Sequence, residues 1–280
     1  MSLYLRPNTL EEAVQVLAQQ GGTILSGGTD FFPALGDTPV TGTVIDISAI
    51  GSMKGILSTA HEHRLGGLTT WTDVIASSLP CSFNALKMAA REIGGIQIQN
   101  RGTVAGNLCN ASPAADSVPP LLVLDAEVEL VSTVERRRVP LSKFIVGNRK
   151  TKRRPDEILA AVIVPRTIDD AKSVFLKLGA RRYLVISIAM VAVTVKTDAS
   201  GRIAEARVAI GACSATAQRL PELERNLVGA PARTGVGALV RPEHLLPLAP
   251  IDDVRATANY RMDAALTLIS RALDDCVQKG

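Results

Sequence analysis

Two stretches of this sequence concentrate small, neutral hydrogen-bonding residues at a density that could hold an anion without lysines. The longer, Gly102 to Asp116, reads Gly-Thr-Val-Ala-Gly-Asn-Leu-Cys-Asn-Ala-Ser-Pro-Ala-Ala-Asp and lies between two apolar segments. Gly102 and Gly106 let the backbone turn or approach a ligand, while Thr103, Asn107, Asn110 and Ser112 offer hydroxyls and amides without formal charge. Phosphates held by main-chain N–H groups suit such a lining. Ser112-Pro113 predicts a helix start, with serine at the N-cap and proline at the first helical position; an ordinary Gly/Asn/Ser loop is the alternative for the whole stretch. The shorter stretch, Ser26-Gly27-Gly28-Thr29-Asp30, follows the strand-like Thr23-Ile24-Leu25. Its glycines let successive N–H groups converge on an anion, although Gly-Gly also makes a hairpin turn. The G-x-G-x-x-G dinucleotide fingerprint is absent here, so a Rossmann reading lacks its main support.

Other chemistry-bearing residues are sparser. His61 and His63 flank Glu62 and on a strand would share one face, but no third ligand has metal-site spacing, so a solvated edge is expected. Cys81, Cys109, Cys213 and Cys276 are scattered without a C-x-x-C, which argues against a disulfide framework, zinc or an iron-sulfur cluster and for free core thiols. Arg136-Arg137-Arg138 reads as a solvated hairpin, and Arg149, Lys150, Lys152, Arg153 and Arg154 form a second basic cluster that could face an acidic ligand or partner. Net charge is +4, yet five Phe and three Tyr leave little to stack bases, and the cations are dispersed, so nucleic-acid binding is not expected.

The elements that must position these groups follow from length and periodicity. A chain of 280 residues is long for one domain and predicts two lobes, at about 150 residues each. With 46% hydrophobic residues there is material for a core, and no apolar run reaches the length of about 18 that spans a bilayer. Tyr4, Arg6 and Glu11-Glu12 interrupt any secretory leader, so a cytoplasmic protein with no membrane span is expected. Thr9 to Glu12 fits a capping box opening a helix that Gly21-Gly22 stops, and Thr43 to Ile47 completes a β-α-β-like unit. Leu65 to Leu68 reads as a strand, Thr70 to Asp73 as a capping box, and Leu86 to Ile93 as a helix ending at Gly94-Gly95. Alternating Ile96-Gln97-Ile98-Gln99 predicts a strand or extended approach, and Val118 to Leu124 at most a short helix around Pro119-Pro120. Glu127 to Val131 reads as a half-buried strand and Ile158 to Val164 as another. Pro165 and Thr167 to Lys172 mark the boundary. Beyond it Ser173 to Leu178, Val185 to Val195 and Ile203 to Ala212 read as strands, and Val254 to Val277 as a helix with Met262, Leu266, Ile269 and Leu273 on one face and Arg261 elsewhere on its circumference. An antiparallel sheet covered by helices is the expected second lobe.

Four short motifs occur in one order: Ser26-Gly27-Gly28-Thr29-Asp30, Asn100 to Asn107, Asn110 to Asp116, and Gly147-Asn148-Arg149-Lys150-Thr151. Together they resemble the FAD-binding medium subunit of the molybdenum hydroxylase family, the xanthine dehydrogenase and carbon monoxide dehydrogenase flavoprotein type. Tyr4-Leu-Arg-Pro7, Ile251 to Arg255 and Tyr260-Arg261 extend the likeness over nearly the whole chain. The resemblance implies an α+β fold: a two-part FAD-binding lobe of the vanillyl-alcohol-oxidase/PCMH type over 1–167, with subdomains of about 1–55 and 56–167, then a smaller α+β lobe over 168–280.

Carried over by position, the resemblance implies FAD contacts at Ile24, Leu25, Ser26, Gly27, Gly28, Thr29, Asp30 and Phe31, and at Thr103, Val104, Ala105, Gly106 and Asn107. It also implies an acidic FAD ligand at Asp116, passage of the chain at Gly94, an apolar contact at Leu159, and a cation at Lys177. Asn148 departs from the aromatic residue the family often has there, and no cysteine-rich insertion lies between Gly106 and Leu121. The implied function is an electron-transfer subunit of a heterotrimer, with no substrate chemistry of its own and no metal. It would accept electrons from an iron-sulfur small subunit beside a molybdopterin-binding large subunit and pass them to an external acceptor such as NAD or a quinone. Two alternatives are a self-contained flavin oxidoreductase, with His61 or His63 as a covalent anchor, and a flavin-free assembly scaffold.

Overall fold

The computed structural model describes residues 2–278, so the outermost limits of the expected lobes, at 1 and 280, lie outside the described residues. The chain begins with β1 (Leu3–Leu5), α1 (Leu10–Gln20), β2 (Thr23–Leu25), α2 (Phe31–Leu35) and β3 (Thr43–Asp46), and the strands form a parallel sheet in the order β1-β3-β2. Thr9 caps α1 through the Glu12 N–H, but the Glu12 carboxylate reaches back to the Asn8 N–H instead of closing the box on Thr9. Leu10, Ala13, Val14 and Leu17 recur at helical spacing and are buried, which docks α1 on the sheet. Because β2 and β3 are parallel, Ser26–Asp30 is not a hairpin turn; it is the first bend of a crossover and runs into α2.

The second part comprises β4 (Ile56–Ser58), β5 (Glu62–Gly66), α3 (Trp71–Ala76), α4 (Asn84–Glu92), α5 (Ile96–Gln99), α6 (Val104–Asn110), α7 (Val118–Val123), β6 (Glu127–Val131), β7 (Arg136–Pro140), α8 (Leu141–Phe144), β8 (Ile145–Gly147), β9 (Lys150–Thr151) and β10 (Ile158–Pro165). Its main sheet is antiparallel in the order β4-β5-β10-β6-β7. Strand β10 is central and buried on both faces. Leu159, Val162 and Val164 enter the core shared with α6 and α7, whereas Ile158 and Ala160 enter the core shared with α1. A full capping box on Thr70 and Asp73 starts α3 as the sequence predicts.

Several local expectations give way to longer-range contacts. Ile96–Gln99 is a helical turn, not a strand, because Gln99 is drawn inward to donate to the carbonyls of Arg91 and Gly94. No helix starts at Ser112-Pro113; those residues form a turn closed by the Ala115 N–H on the Ser112 carbonyl, and α6 is capped earlier by Thr103. Strand β5 begins at Glu62 and ends at Gly66, three residues ahead of the predicted segment. The Arg136–Arg138 run is strand β7, the outer arm of the expected hairpin with β6, with Arg136 and Arg138 exposed; its guanidiniums are nevertheless paired, and Glu129 on β6 is buried between Arg64 and Arg136.

The last part holds β11 (Lys172–Leu178), β12 (Ala189–Thr197), β13 (Ile203–Gly211), β14 (Gln218–Arg219), α9 (Pro221–Leu227) and α10 (Ala258–Gln278), with an antiparallel sheet in the order β11-β12-β13-β14. Residues 185–188 precede β12 as irregular chain, so the predicted strand from Val185 is shortened at its start. Helix α10 starts at Ala258, whose N–H is taken by Asp252, and not at Val254. Its buried face carries Arg261, Ala265, Leu268, Ile269, Ala272, Leu273 and Cys276; Met262 and Leu266 sit at its margin. Arg261 is inside because its guanidinium serves the Ile188 and Ala212 carbonyls and Asp253. One face of this sheet packs on α9 and α10. The other meets α4 and α7 of the preceding part, with Phe175, Met190, Ala192 and Ala209 joining Leu121 and Leu122 in one core. Among the described residues no helix is long and apolar enough to cross a membrane.

Candidate cofactor site

A half-open cleft of about 830 Å³ runs between the two N-terminal parts, with a margin supplied by Val185 and Ile186 of the third. Its floor is made where two distant turns meet. The Ser26 and Thr103 hydroxyls share a hydrogen bond of 3.2 Å across 77 residues of sequence. A Cβ placed on Gly27 would lie 1.9 Å from the Arg101 carbonyl oxygen and 3.1 Å from the Gly102 Cα, so only glycine permits the contact. Gly28 adopts φ +76°, the left-handed region, and its missing side chain leaves room for the Phe32 ring. Gly106 is not a loop residue: it lies in the first turn of α6, where a side chain would strike the Thr103 and Ser26 hydroxyls at 2.8 and 3.1 Å. The Thr103 hydroxyl also accepts the Gly106 N–H, which holds the cap in place.

The rest of the wall follows from the central sheet and the turns around it. Leu159 reaches the cleft from β10 beside an irregularity in its register with β6. Gly94, at φ +59°, turns the chain at the end of α4 and packs on Ile98. The Asn107 side-chain oxygen accepts the Ser117 hydroxyl at 2.6 Å, and the Asn110 side chain is held by Arg149. Burial pushes the Cys109 thiol up to about 11, with Arg153 opposing, so this cleft residue is a protonated thiol at neutral pH.

The resemblance-derived residues assemble here with two exceptions. Ile24 through Phe31, Gly94, Thr103, Ala105, Gly106, Asn107, Asp116 and Leu159 all line the cleft. Val104 does not, because in the first turn of α6 its side chain is fully buried in the core, and Lys177 does not, because its ammonium is committed to Asp116 at 2.6 Å. Asp116 itself is buried and also accepts the Ser187 hydroxyl at 2.5 Å. Burial drives its carboxyl above the ordinary range, against the pull of Lys177 and Ser187. Of the second basic cluster, expected to face an acidic ligand or partner, Arg149 and Arg153 line the cleft, as does Thr151. Asn148 is exposed at the β8–β9 turn and is not part of the wall.

The two histidines stand elsewhere. His63 is buried, not solvated: Nδ1 meets the Ser58 hydroxyl at 2.7 Å, Nε2 meets Asp169 at 3.0 Å, and the ring stacks edge-on against Phe83. Neither His61 nor His63 lines the cleft, which removes both as covalent anchors there. Among the described residues no group of three or more metal-ligating side chains is present.

The floor presents neutral hydroxyl and main-chain groups beside an apolar wall, with Arg149 and Arg153 at the lining, and its glycines let the two turns pack directly on each other. Residues 1–167 match the family model described as the FAD binding domain in molybdopterin dehydrogenase, and residues 175–276 match the CO dehydrogenase flavoprotein C-terminal domain. The chain is 30% identical over 279 residues to the xanthine dehydrogenase FAD-binding subunit of Escherichia coli O157:H7, covering 98% of this chain and 95% of that one. It is 33% identical over 236 residues to the nicotinate dehydrogenase FAD-subunit of Eubacterium barkeri, covering 81% and 80%. Among solved structures, a chain of reconstituted CO dehydrogenase from Oligotropha carboxidovorans superposes with a TM-score of 0.91 at 25% identity, covering 100% of this chain and 99% of that one.

Proposed function

The chain belongs to the FAD-binding subunits of the molybdopterin dehydrogenase family, and from that premise we propose that it is the electron-transfer subunit of a cytoplasmic heterotrimer. In this reading a partner carrying iron-sulfur clusters delivers electrons that originate at a molybdopterin-binding large subunit, and an external acceptor such as NAD or a quinone takes them away. The single observation that carries the reading is the meeting of the two glycine turns, sealed by the Ser26–Thr103 hydroxyl pair and the contact of Gly27 with Arg101.

FAD, when bound, supplies the capacity to exchange electrons singly or in pairs. The protein's own residues bind and orient. Main-chain N–H groups of the Ser26–Asp30 turn, with the Ser26, Thr29 and Thr103 hydroxyls, are the groups suited to the diphosphate, the Val104, Gly106 and Asn107 N–H groups being taken within the fold, and Asp116 is suited to a hydroxyl or amide of the cofactor. Leu159, Ile24 and Phe31 supply apolar contact, and Gly94 allows the chain to pass close by. Leu25, Gly106 and Ala105 complete the cradle by being small or buried beneath it. We assign Lys177 an indirect part through Asp116, and Val104 a packing part. The reading also divides the chain at 167/168, with subdomains of about 1–55 and 56–167.

The test is to purify the chain with and without its co-expressed partners. Stoichiometric FAD on the chain, and reduction of that FAD by substrate only when the partners are present, is the expected result. A protein that stays colourless in excess FAD would point to the scaffold reading. Substrate turnover by the isolated chain would point to a self-contained oxidoreductase.

A further inference from the structure

The third part of the chain contributes little wall to the cleft, yet it holds both oxygens of Asp116, a buried carboxylate that lines it. Asp116 lies on the turn between α6 and α7; Lys177 stands on β11 and Ser187 in the approach to β12. The Lys177 ammonium is 2.6 Å from Oδ2 and the Ser187 hydroxyl donates to Oδ1 at 2.5 Å. Ser187 at 1% and Asp116 at 6% exposure are buried, and the Lys177 side chain is 8% exposed. A carboxylate has about four acceptor positions, so each oxygen retains capacity after these two bonds.

We infer that Ser187 and Lys177 are positioning residues that set FAD affinity through Asp116, so that the C-terminal part governs cofactor retention without supplying the diphosphate cradle. This rests on the assignment of FAD to the cleft. Two donors, one on each oxygen, fix a carboxylate more narrowly than one, since a single cation leaves the group free to rotate about its Cβ–Cγ bond. The hydroxyl of Ser187 removes that freedom. It also joins the third part to the turn that follows α6, whose N-cap is the Thr103 of the cradle floor. Lys177 reaches the site through Asp116, to which its ammonium is bound.

The experiment is a double-mutant cycle on FAD affinity, read by titrating deflavinated full-length chain, with thermal unfolding of each apoprotein as a second readout. Ser187→Ala is expected to weaken FAD binding roughly fivefold to tenfold, in line with losing one hydrogen bond to a charged group. Ser187→Thr, which keeps the hydroxyl, should restore most of that loss. In an Asp116→Asn background, Ser187→Ala should change FAD affinity by less than about twofold, since the group it positions is already altered. Full additivity of the two substitutions, or a Ser187→Ala protein that melts earlier yet binds FAD with unchanged affinity, overturns the inference. Failure of the unsubstituted chain to bind FAD at all would instead overturn the assignment of the cofactor.

Discussion

The cleft floor and the outer edge of the five-stranded sheet are both dense in hydrogen-bonding groups and use them in opposite ways. On the sheet edge every arginine of the Arg136–Arg138 run is matched: Arg136 with Glu129, Arg137 with Glu157 through two bonds, and Arg138 with Glu62 through two bonds. On the floor, small neutral residues bond mostly to each other and to the backbone, and the turns come so close that glycine is required. The charge of the Arg136–Arg138 run is consumed by folding, whereas inconspicuous residues, with Arg149 and Arg153 beside them, line the cleft. A matched cation has little left to offer a ligand; an uncharged donor at a tight turn does.

Three substitutions sharpen this contrast. Gly27→Val should have the largest effect, loss of FAD from the chain by a factor of at least about one hundred, because its side chain must displace the Arg101 carbonyl. FAD content measured alongside circular dichroism separates this from unfolding, and a folded variant with full FAD would break the assignment of the floor. Arg137→Ala should leave FAD affinity unchanged but cost about 2–3 kcal/mol in urea unfolding, since Glu157, a carboxylate only 1% exposed, loses its two-bond partner and keeps only the Arg154 N–H and the Arg154 guanidinium at 3.8 Å. Burial works to raise the Glu157 carboxyl, but bonds from Arg137 and the Arg154 N–H bring it below the ordinary range. A carboxylate lowered in the fold contributes stability above its unfolded value of about 4.3 and loses it as pH falls through the folded one. The gap between wild type and Arg137→Ala should therefore be widest near neutrality and close on acidification below about pH 4; a gap that is constant with pH would count against the pair. Ser26→Ala should be the mildest, weakening FAD binding about fivefold with a melting temperature close to that of wild type, as expected for one neutral hydrogen bond.

How much of this was legible depended on where each residue's partner lies. Thr70 and Asp73 complete each other within three residues, and Glu127–Val131 needs only its own alternation to declare a strand, so both were readable with their boundaries. Ile96–Gln99 alternates like a strand yet coils, because Gln99 bonds to carbonyls as far back as Arg91. His63 looked solvated since Asp169, its partner, lies 106 residues on. The cradle was visible only as two similar glycine-rich patches; nothing within either patch says that Gly27 touches Arg101. The order of four motifs, and the family they resemble, supplied that pairing. Lys177 shows the limit of transfer by position, since the residue is where expected while its ammonium is spent on Asp116.

The sheet of the third part has one apolar face resting on α4 and α7, which belong to the part before it. A fragment ending at 167 would carry Leu121 and Leu122 stripped of their cover, and the complementary fragment would bare Phe175, Met190, Ala192 and Ala209. Severed at that junction, neither piece keeps a closed interior; proteolytic nicking or split expression should yield two sticky halves, not two modules.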